Sequence, residues 1–539
     1  MRAPDTAPRW IVAIALVAVI VGIGFRATNA THKIFYQDEA VTSLRVAGFG
    51  LDDLGPLFDR RPHTFGDIDR LVTVTPAKTI RDTMDSLIRE DPQHPPFFYV
   101  LEAAYGRIAG AGPLAMRSLA VTVSLLALPL VYALARELFR RRTTAWIALA
   151  IYALSPFFVL YAYQAREYGL LPATIVLASL LYLRARRQSG VWPWVAYAAS
   201  VTLGCYTYPF FAFAIVAHGV AALVDVRRAP RAFAAFFVSA GAGAIAFIPW
   251  LRVLADHQST AAGDVAWATS TYPLAFMAAK WAFFAVATIF DLEFADLHFA
   301  VVALAVGVLI AIAVVHLVRR ERRDVAVFIG ALGLTGFVAL VIPDLLLHHR
   351  FSTIARYLVP TWLAVLLTVA ALLGARAGSR LTTVALPLVL VVAALSDFTS
   401  SRAGSWWENN GTKAVPAAAR FLQAHPGTVV VGIKDIAPLL GLTFAVPARL
   451  RWIGYEGLGM PPLPTGGTTY LYSPSEAVRD RISREGRLRL ELAYDSHDAS
   501  NLSTFRRSVD AGRGHGAAGG PSLGGDDWGE IVLWRVEPR

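Results

Sequence analysis

The chain has 539 residues, of which 55% are hydrophobic and 17% charged, and its mean hydropathy is +0.49. Soluble proteins carry about a quarter charged residues, so this composition excludes a mainly soluble protein and predicts that most of the chain lies in lipid. The net charge is +11 and the pI is near 9.8, but in a membrane protein such an excess first reports cytoplasmic loops, so nucleic acid is not the expected partner.

The N-terminal segment predicts a first transmembrane helix that is retained. Residues 11–25 are apolar and follow Arg2 and Arg9. No clear small-residue cleavage site comes after them, and more apolar segments follow, so we do not expect a cleaved signal peptide. We predict that the N-terminus is cytoplasmic and that residues 26–112 form a first outer loop with amphipathic helices.

Two adjacent carboxylates lie just after the predicted first span. Asp38 and Glu39 follow Phe35, Tyr36 and Gln37. Ionised groups at a membrane face are costly unless they have a partner or a function. A carboxylate can accept the proton of an attacking hydroxyl, and a second one beside it can orient a substrate or bind a metal ion. Alternatively, both residues open an amphipathic helix, whose N-terminus favours negative charge.

The first outer loop closes with an amphipathic segment and a histidine followed by two prolines. Residues 79–90 have apolar side chains at helical spacing, which is typical of a helix lying at a membrane surface. His94 precedes Pro95 and Pro96, which are suited to the first turn of a helix. His94 either marks only this helix entry, or contacts a substrate or a metal with Glu102 on the same helical face.

About ten further apolar segments follow, and arginine clusters occur at alternate turns between them. The positive-inside rule requires this alternation. At roughly 20 residues per span, residues 1–396 predict about eleven transmembrane helices, with another outer loop at 252–298. An odd number of spans places the C-terminus outside the cytoplasm.

Two motifs on the predicted outer side contain arginine, which the positive-inside trend does not place there. The candidate substrate-binding residues of these motifs are Gln164, Arg166, Tyr168, Arg356 and Tyr357. A guanidinium group suits phosphate oxygens. The alternatives are an ion pair between Arg166 and Glu167, and snorkelling of Arg356 to the interface. For nearby Arg350 we favour snorkelling.

The composition after residue 397 indicates a separate domain, because polar residues, glycine and proline become more frequent. Strand character is found at 428–433, 468–472, 488–494 and 530–536, and helical spacing at 412–425 and 475–485. A segment of about 140 residues is within the usual size of a domain. Residues 397–539 therefore predict a small α/β domain outside the cytoplasm.

In their order and sidedness, these motifs resemble those of the polytopic GT-C glycosyltransferases. The closest branch is the protein O-mannosyltransferase and aminoarabinose transferase group. The resemblance is carried by the outer Asp38-Glu39 pair, by His94-Pro-Pro, by the Arg166-Glu-Tyr168 turn and by Arg356-Tyr-Leu-Val-Pro360 at the start of a late span. It covers about residues 9–396 of the chain, and the C-terminal domain matches no particular subgroup.

The resemblance implies inverting transfer of a hexose or pentose from a polyprenyl-phosphate donor to an acceptor outside the cytoplasm. That acceptor would be a glycan, lipid or protein of a bacterial cell envelope, and the enzyme a multi-pass protein of the inner (plasma) membrane. Asp38 would be the general base, with Glu39 assisting through hydrogen bonds or a metal. His94 would line the site, and Arg166 and Arg356 would neutralise the leaving phosphate. Whether a divalent metal such as Mg²⁺ or Mn²⁺ takes part stays open, with Glu39 and His94 as candidate ligands.

Two other functions stay open on the sequence alone. A secondary transporter binds its substrate near the bilayer midplane and often contains internal repeats. Here His218 and Tyr206 are nearly the only polar groups deep in a predicted span, and no repeat is visible. A non-catalytic envelope assembly protein would instead bind a partner through its outer domain, with Asp38 and Glu39 only capping a helix.

Overall fold

The structure is a computed structural model that describes residues 6–110, 112–270, 272–291, 297–408, 414–433, 436–456, 460–464, 466–485, 488–495 and 531–538. Contacts divide the chain into two compact units. The first consists of Met1–Thr31, Leu87–Phe98 and Arg117–Arg402, and the second of His32–Ser86, Tyr99–Met116 and Ala403–Arg539.

The described residues form helices, strands and a few short 3-10 turns. The helices are α1 (Arg9–His32), α2 (Gln37–Val46), α3 (Phe65–Asp69), α4 (Ile80–Glu90), α5 (Phe97–Ala109), α6 (Pro113–Leu125), α7 (Ala127–Phe139), α8 (Arg142–Ala153), α9 (Pro156–Ala162), α10 (Leu171–Ala185), α11 (Trp192–Thr207), α12 (Ala212–Val224), α13 (Pro230–Ile245), α14 (Ile248–Asp256), α15 (Gln258–Asp264), α16 (Leu274–Ala287), α17 (Leu297–Arg320), α18 (Arg323–Leu347), α19 (Val359–Ala375), α20 (Arg380–Arg402), α21 (Val415–Ala424), α22 (Ile436–Thr443) and α23 (Glu476–Glu485). The strands are β1 (Pro62–Thr64), β2 (Thr428–Gly432), β3 (Arg451–Tyr455), β4 (Thr469–Tyr472), β5 (Leu488–Asp495) and β6 (Val532–Pro538).

The chain is a polytopic membrane protein. Among the described residues, seven helical segments are long and apolar enough to cross a membrane, or up to nine if each of two bent helix pairs forms one span. The pairs are α8 with α9, bent by 56°, and α13 with α14, bent by 50°. The predicted count of about eleven is not confirmed, because some apolar helices are short. A helix such as α16, with 14 residues, covers about 21 Å, less than a hydrocarbon core of about 30 Å.

Helix α1 continues past residue 26, the predicted start of the first outer loop, and ends at His32. Arg26 lies inside this helix and is only 1% exposed. Its guanidinium donates hydrogen bonds to the carbonyl oxygens of Gly22 at 3.0 Å and of Ala153 at 2.7 Å. These contacts satisfy the charged group within the protein, so the helix does not have to end before it.

Helix α19 lies at the centre of the first unit. It packs against α8, α10, α17, α18 and α20, and most of its residues are buried. Close approach to α8 depends on a small residue, since a Cβ atom at Gly374 would overlap the side chain of Thr144. Small residues at such crossings allow the close backbone packing by which membrane helices associate.

His218 joins three helices of the first unit. Its Nε2 lies 3.0 Å from Ser179 Oγ on α10, and its Nδ1 lies 3.0 Å from Tyr197 Oη on α11. The ring also stacks on Tyr182, with centroids 4.9 Å apart. Both ring nitrogens thus contact neighbouring helices, which favours a role in helix packing over the substrate site that a transporter would need.

The second unit is built on a six-stranded mixed sheet of order β1-β3-β2-β4-β6-β5. Strand β2 runs parallel to β3 and to β4, whereas the other neighbours are antiparallel. Buried residues of β2, β3 and β4 pack against Val478 and Ile482 of α23. Strands β2, β4, β5 and β6 lie close to the segments predicted to be strands, and β1 and β3 are additional.

The division into units differs from the predicted domains 1–396 and 397–539. Strand β1 belongs to the first loop of the chain, yet it pairs with β3 of the C-terminal segment. The indole of Trp452 on β3 also donates a hydrogen bond to the carbonyl oxygen of Thr64 at 3.1 Å. Much of the predicted outer loop therefore folds together with the C-terminal segment.

Candidate functional site

Three ionisable side chains of the first unit meet at the turn between α9 and α10. His94 Nδ1 lies 2.9 Å from Glu167 Oε1, and Arg166 Nη2 lies 3.1 Å from His94 Nε2. Arg166 Nε also lies 3.6 Å from Glu167 Oε2. A guanidinium only donates, so His94 Nε2 accepts from Arg166 and the ring proton is on Nδ1, facing Glu167.

Both predicted arginines face one aromatic ring. The guanidinium carbons of Arg166 and Arg356 each lie 5.4 Å from the ring centroid of Tyr168. Arg356 also lies 5.6 Å from the ring centroid of Tyr357, and Arg166 Nη2 donates to the hydroxyl of Tyr168 at 3.2 Å. The two motifs are 190 residues apart in sequence, and they form one cationic cluster around Tyr168.

Aromatic residues cover one side of this cluster. Tyr208, in the turn between α11 and α12, packs edge-on against Tyr168. Its ring is also stacked with that of His94, with the two ring centroids 6.2 Å apart. Phe210 and Tyr357 have ring centroids 4.3 Å apart. Sequence reasoning missed Tyr208 and Phe210, although aromatic residues around Pro209, between two apolar segments, are the signal that could have indicated them.

A backbone hydrogen bond closes the turn that carries Arg166. The carbonyl oxygen of Gln164 accepts a hydrogen bond from the amide of Arg166 at 2.6 Å, and Gln164 is fully buried. Gly169 follows, and a Cβ atom there would lie 3.2 Å from the carbonyl oxygen of Ala162. Gln164 thus shapes the turn that places Arg166 and Tyr168.

The structure does not place Arg350 in this cluster. Its guanidinium donates to Tyr272 Oη at 2.6 Å and to the carbonyl oxygen of Trp267 at 2.7 Å. The residue is buried, so these internal contacts explain it better than snorkelling to the interface.

Asp38 and Glu39 lie in the first turn of α2, in the second unit. Glu39 is at the third helical position, and its Oε2 accepts a hydrogen bond from the amide of Tyr36 at 3.2 Å. This is the arrangement of a capping box, so the capping alternative holds for Glu39. Asp38 is only partly buried, and its Oδ2 accepts from the hydroxyl of Tyr36 at 3.4 Å.

Another buried carboxylate of the second unit interacts with Glu39. Glu102, on α5, is 1% exposed, and neither of its carboxylate oxygens has a hydrogen-bond partner within the described part of the chain. Burial raises the pKa of the Glu102 carboxyl well above its ordinary value, and the negative charge of Glu39 raises it further. Glu102 is therefore expected to be protonated over a pH range in which an exposed glutamate is ionised.

We expect Glu102→Gln to stabilise the protein near neutral pH. Between the ordinary pKa of about 4.3 and the raised folded value, folding takes up a proton, so stability falls as pH increases. Glutamine has no proton to take up, so the variant does not lose stability in this way. The difference between its melting temperature and that of wild type should grow from about pH 4 towards pH 8. Asp85→Asn, at an exposed position of α4, is the control. A difference in melting temperature between wild type and Glu102→Gln that does not change with pH would contradict a raised pKa of Glu102.

The residues present do not fit His94 as a metal ligand. Both of its ring nitrogens are engaged, and a metal at Nε2 would have to displace the positive guanidinium of Arg166. Within the ranges that the structure describes, no group of three or more His, Cys, Asp or Glu side chains is arranged to hold a metal ion. Glu39, the other candidate, already caps α2.

Residues 93–253, which contain His94, Arg166 and Tyr208, match the family model of dolichyl-phosphate-mannose-protein mannosyltransferases. No curated protein matches the chain.

The fold is similar to that of ArnT from Cupriavidus metallidurans. In its crystal structure bound to undecaprenyl phosphate, the TM-score is 0.50 at 14% identity, over 98% of each chain. The apo structure gives the same TM-score and identity over 97% of each chain. At 14% identity, this similarity shows a shared fold and nothing further. The chain therefore has the architecture of the polytopic GT-C glycosyltransferases, and the resemblance to their protein O-mannosyltransferase and ArnT-like branch is confirmed.

Proposed function

We propose that the protein is an inverting glycosyltransferase that moves a sugar from a polyprenyl-phosphate donor to an acceptor outside the cytoplasm. The observation that carries the proposal is the cluster of Arg166 and Arg356 around Tyr168. Cationic groups held in a buried setting stabilise the charge that develops on a leaving phosphate, which is usually a large catalytic contribution. His94 and Glu167 hold one side of the cluster, and the aromatic rings offer a surface for the lipid or the sugar.

In this proposal Asp38 is the general base. Its partly buried carboxylate would take the proton of the acceptor hydroxyl as the oxygen attacks the anomeric carbon, while the bond from that carbon to the phosphate oxygen breaks. The role of Asp38 rests on the resemblance of its motif. Glu39 would act by fixing the first turn of α2, and hence the position of Asp38.

The proposed topology has about eleven spans, a cytoplasmic N-terminus and an extracytoplasmic C-terminal domain in the inner membrane. It is supported by the alternation of arginine clusters along the sequence. The acceptor would be a cell-envelope glycan, lipid or protein.

Binding of the lipid phosphate tests the proposal without knowledge of the sugar. The purified chain should bind undecaprenyl phosphate and should discriminate against undecaprenol, which has the same chain but no phosphate. Incubation with polyprenyl-phosphate hexoses and pentoses should then release polyprenyl phosphate when the correct donor is present. Equal affinity for undecaprenyl phosphate and undecaprenol would contradict the proposal.

A further inference from the structure

The two arginines of the cluster differ in their surroundings. Arg166 is 3% exposed, and its guanidinium contacts His94 Nε2, the hydroxyl of Tyr168 and the carboxylate of Glu167. Arg356 is only half-buried and lies against the rings of Tyr168 and Tyr357. The first arginine is thus buried among protein groups, whereas the second is more exposed.

Glu167 connects the elements of this arrangement. Its carboxylate is 1% exposed and reaches the imidazole of His94 with one oxygen and the guanidinium of Arg166 with the other. A buried charge is costly unless an opposite charge compensates it. Asp91 Oδ1 also faces this group, 3.7 Å from His94 Nε2, so the negative charge on this side of the cluster is substantial.

We propose that Arg166 and Glu167 form an internally neutral pair that positions His94, and that Arg356 supplies the charge that binds the phosphate. This inference rests on the proposed function and divides the roles of the two arginines. Arg166 and Glu167 are then positioning residues, which act through His94 and Tyr168. Arg356 is placed to contact the phosphate itself, because it lies on the same aromatic ring and is more exposed.

The position of Arg356 in the fold supports this assignment. It belongs to a short 3-10 turn, Ala355–Leu358, directly before the first turn of α19. The N-terminal end of a helix is electropositive and favours anions. A phosphate held by Arg356 would thus lie near the N-terminal end of α19.

A charge-compensation cycle tests the proposal on the full-length protein. The dissociation constant for undecaprenyl phosphate is measured in detergent for wild type, Arg166→Gln, Glu167→Gln, their double variant and Arg356→Gln, with undecaprenol as the phosphate-free probe. Arg166→Gln leaves a buried carboxylate beside the site and should weaken binding about tenfold or more. Glu167→Gln leaves an extra positive charge and should preserve or strengthen it.

The double variant shows whether Arg166 positions His94 or itself binds the phosphate. Arg166→Gln with Glu167→Gln removes both charges, so its affinity should return to within about threefold of wild type, because coupled residues are not additive. Arg356→Gln alone should weaken binding about tenfold or more. If the double variant binds as weakly as Arg166→Gln, then Arg166 itself holds the phosphate and the proposal is overturned.

The chain offers a matched control pair. Glu321 is also a largely buried carboxylate between an arginine and a histidine, since it pairs with Arg141 and lies 3.4 Å from His316. Arg141→Gln with Glu321→Gln should leave the dissociation constant unchanged. If the single variants of the site fail to fold, the double variant still gives the answer, because it removes both members of the buried pair together. Failure of the wild type to prefer undecaprenyl phosphate over undecaprenol would instead contradict the proposed function.

Discussion

Replacing Asp38 with asparagine should abolish sugar transfer while leaving binding of undecaprenyl phosphate and the fold intact. Asparagine has nearly the same shape as aspartate and can still accept a hydrogen bond from the hydroxyl of Tyr36, but it cannot take a proton from an attacking hydroxyl. Removal of a general base lowers the rate by about 10²–10⁴-fold. The loss should therefore appear in kcat, with little change in the affinity for the lipid phosphate.

The measurement is the release of polyprenyl phosphate from a polyprenyl-phosphate sugar by purified wild type and Asp38→Asn protein. Asp53→Asn is the matched control in the same loop, because Asp53 accepts a hydrogen bond from the amide of Gly50 at 2.6 Å and has no proposed catalytic role. Full activity of Asp38→Asn would refute the assignment of the base. Loss of activity in both variants would point to disruption of the loop instead.

The sequence indicated which residues form the cationic cluster, but it did not indicate the contact between His94 and Glu167. Arg166, Tyr168, Arg356 and Tyr357 were indicated because arginine on the outer side of a membrane protein is unusual. The bridge from Glu167 to His94 joins residues 73 positions apart, and no local pattern reports such a distance. The sequence therefore offered Glu167 only as an ion-pair partner of Arg166.

The number of spans could not be predicted because hydropathy is insensitive to bends. The apolar segment around Ser155 and Pro156 is continuous in composition, yet it contains a 56° break between α8 and α9. Likewise, an arginine after an apolar run normally marks the end of a span, and Arg26 was interpreted in this way. Only the tertiary structure shows that carbonyl groups of α8 accept hydrogen bonds from the guanidinium of Arg26.

In the second unit, strands with several β-branched residues, such as β2, were predicted close to their observed bounds. Strand β1 was missed because three residues, Pro62 to Thr64, carry too little pattern. Its pairing with β3 is long-range and depends on the C-terminal segment. The association of the first loop with that segment therefore lay beyond sequence reasoning.

Replacing Arg26 with methionine should cause the largest loss of stability among the substitutions considered. The guanidinium donates to the carbonyl oxygen of Ala153, where α8 ends before its bend into α9, and lies 3.5 Å from that of Tyr152. Methionine fills a similar volume but leaves the carbonyl oxygen of Ala153 without this donor. Arg26 also interacts electrostatically with Asp397 of α20, whose side chain is 1% exposed. A buried acceptor that loses its hydrogen bond from a charged donor costs about 1–3 kcal/mol, and the variant also loses the electrostatic interaction with Asp397.

A second substitution, at Asp397, tests the electrostatic part of this prediction. If the interaction with Asp397 contributes to the loss, Arg26→Met with Asp397→Asn should be more stable than Arg26→Met alone, because coupled residues are not additive. The unfolding free energy of each variant is measured by titration with a denaturing detergent, with Arg380→Ala, at an exposed position of α20, as the control. A double variant that is no more stable than Arg26→Met would mean that the carbonyl groups alone account for the role of Arg26. A single variant as stable as wild type would show that the end of α8 does not depend on this guanidinium.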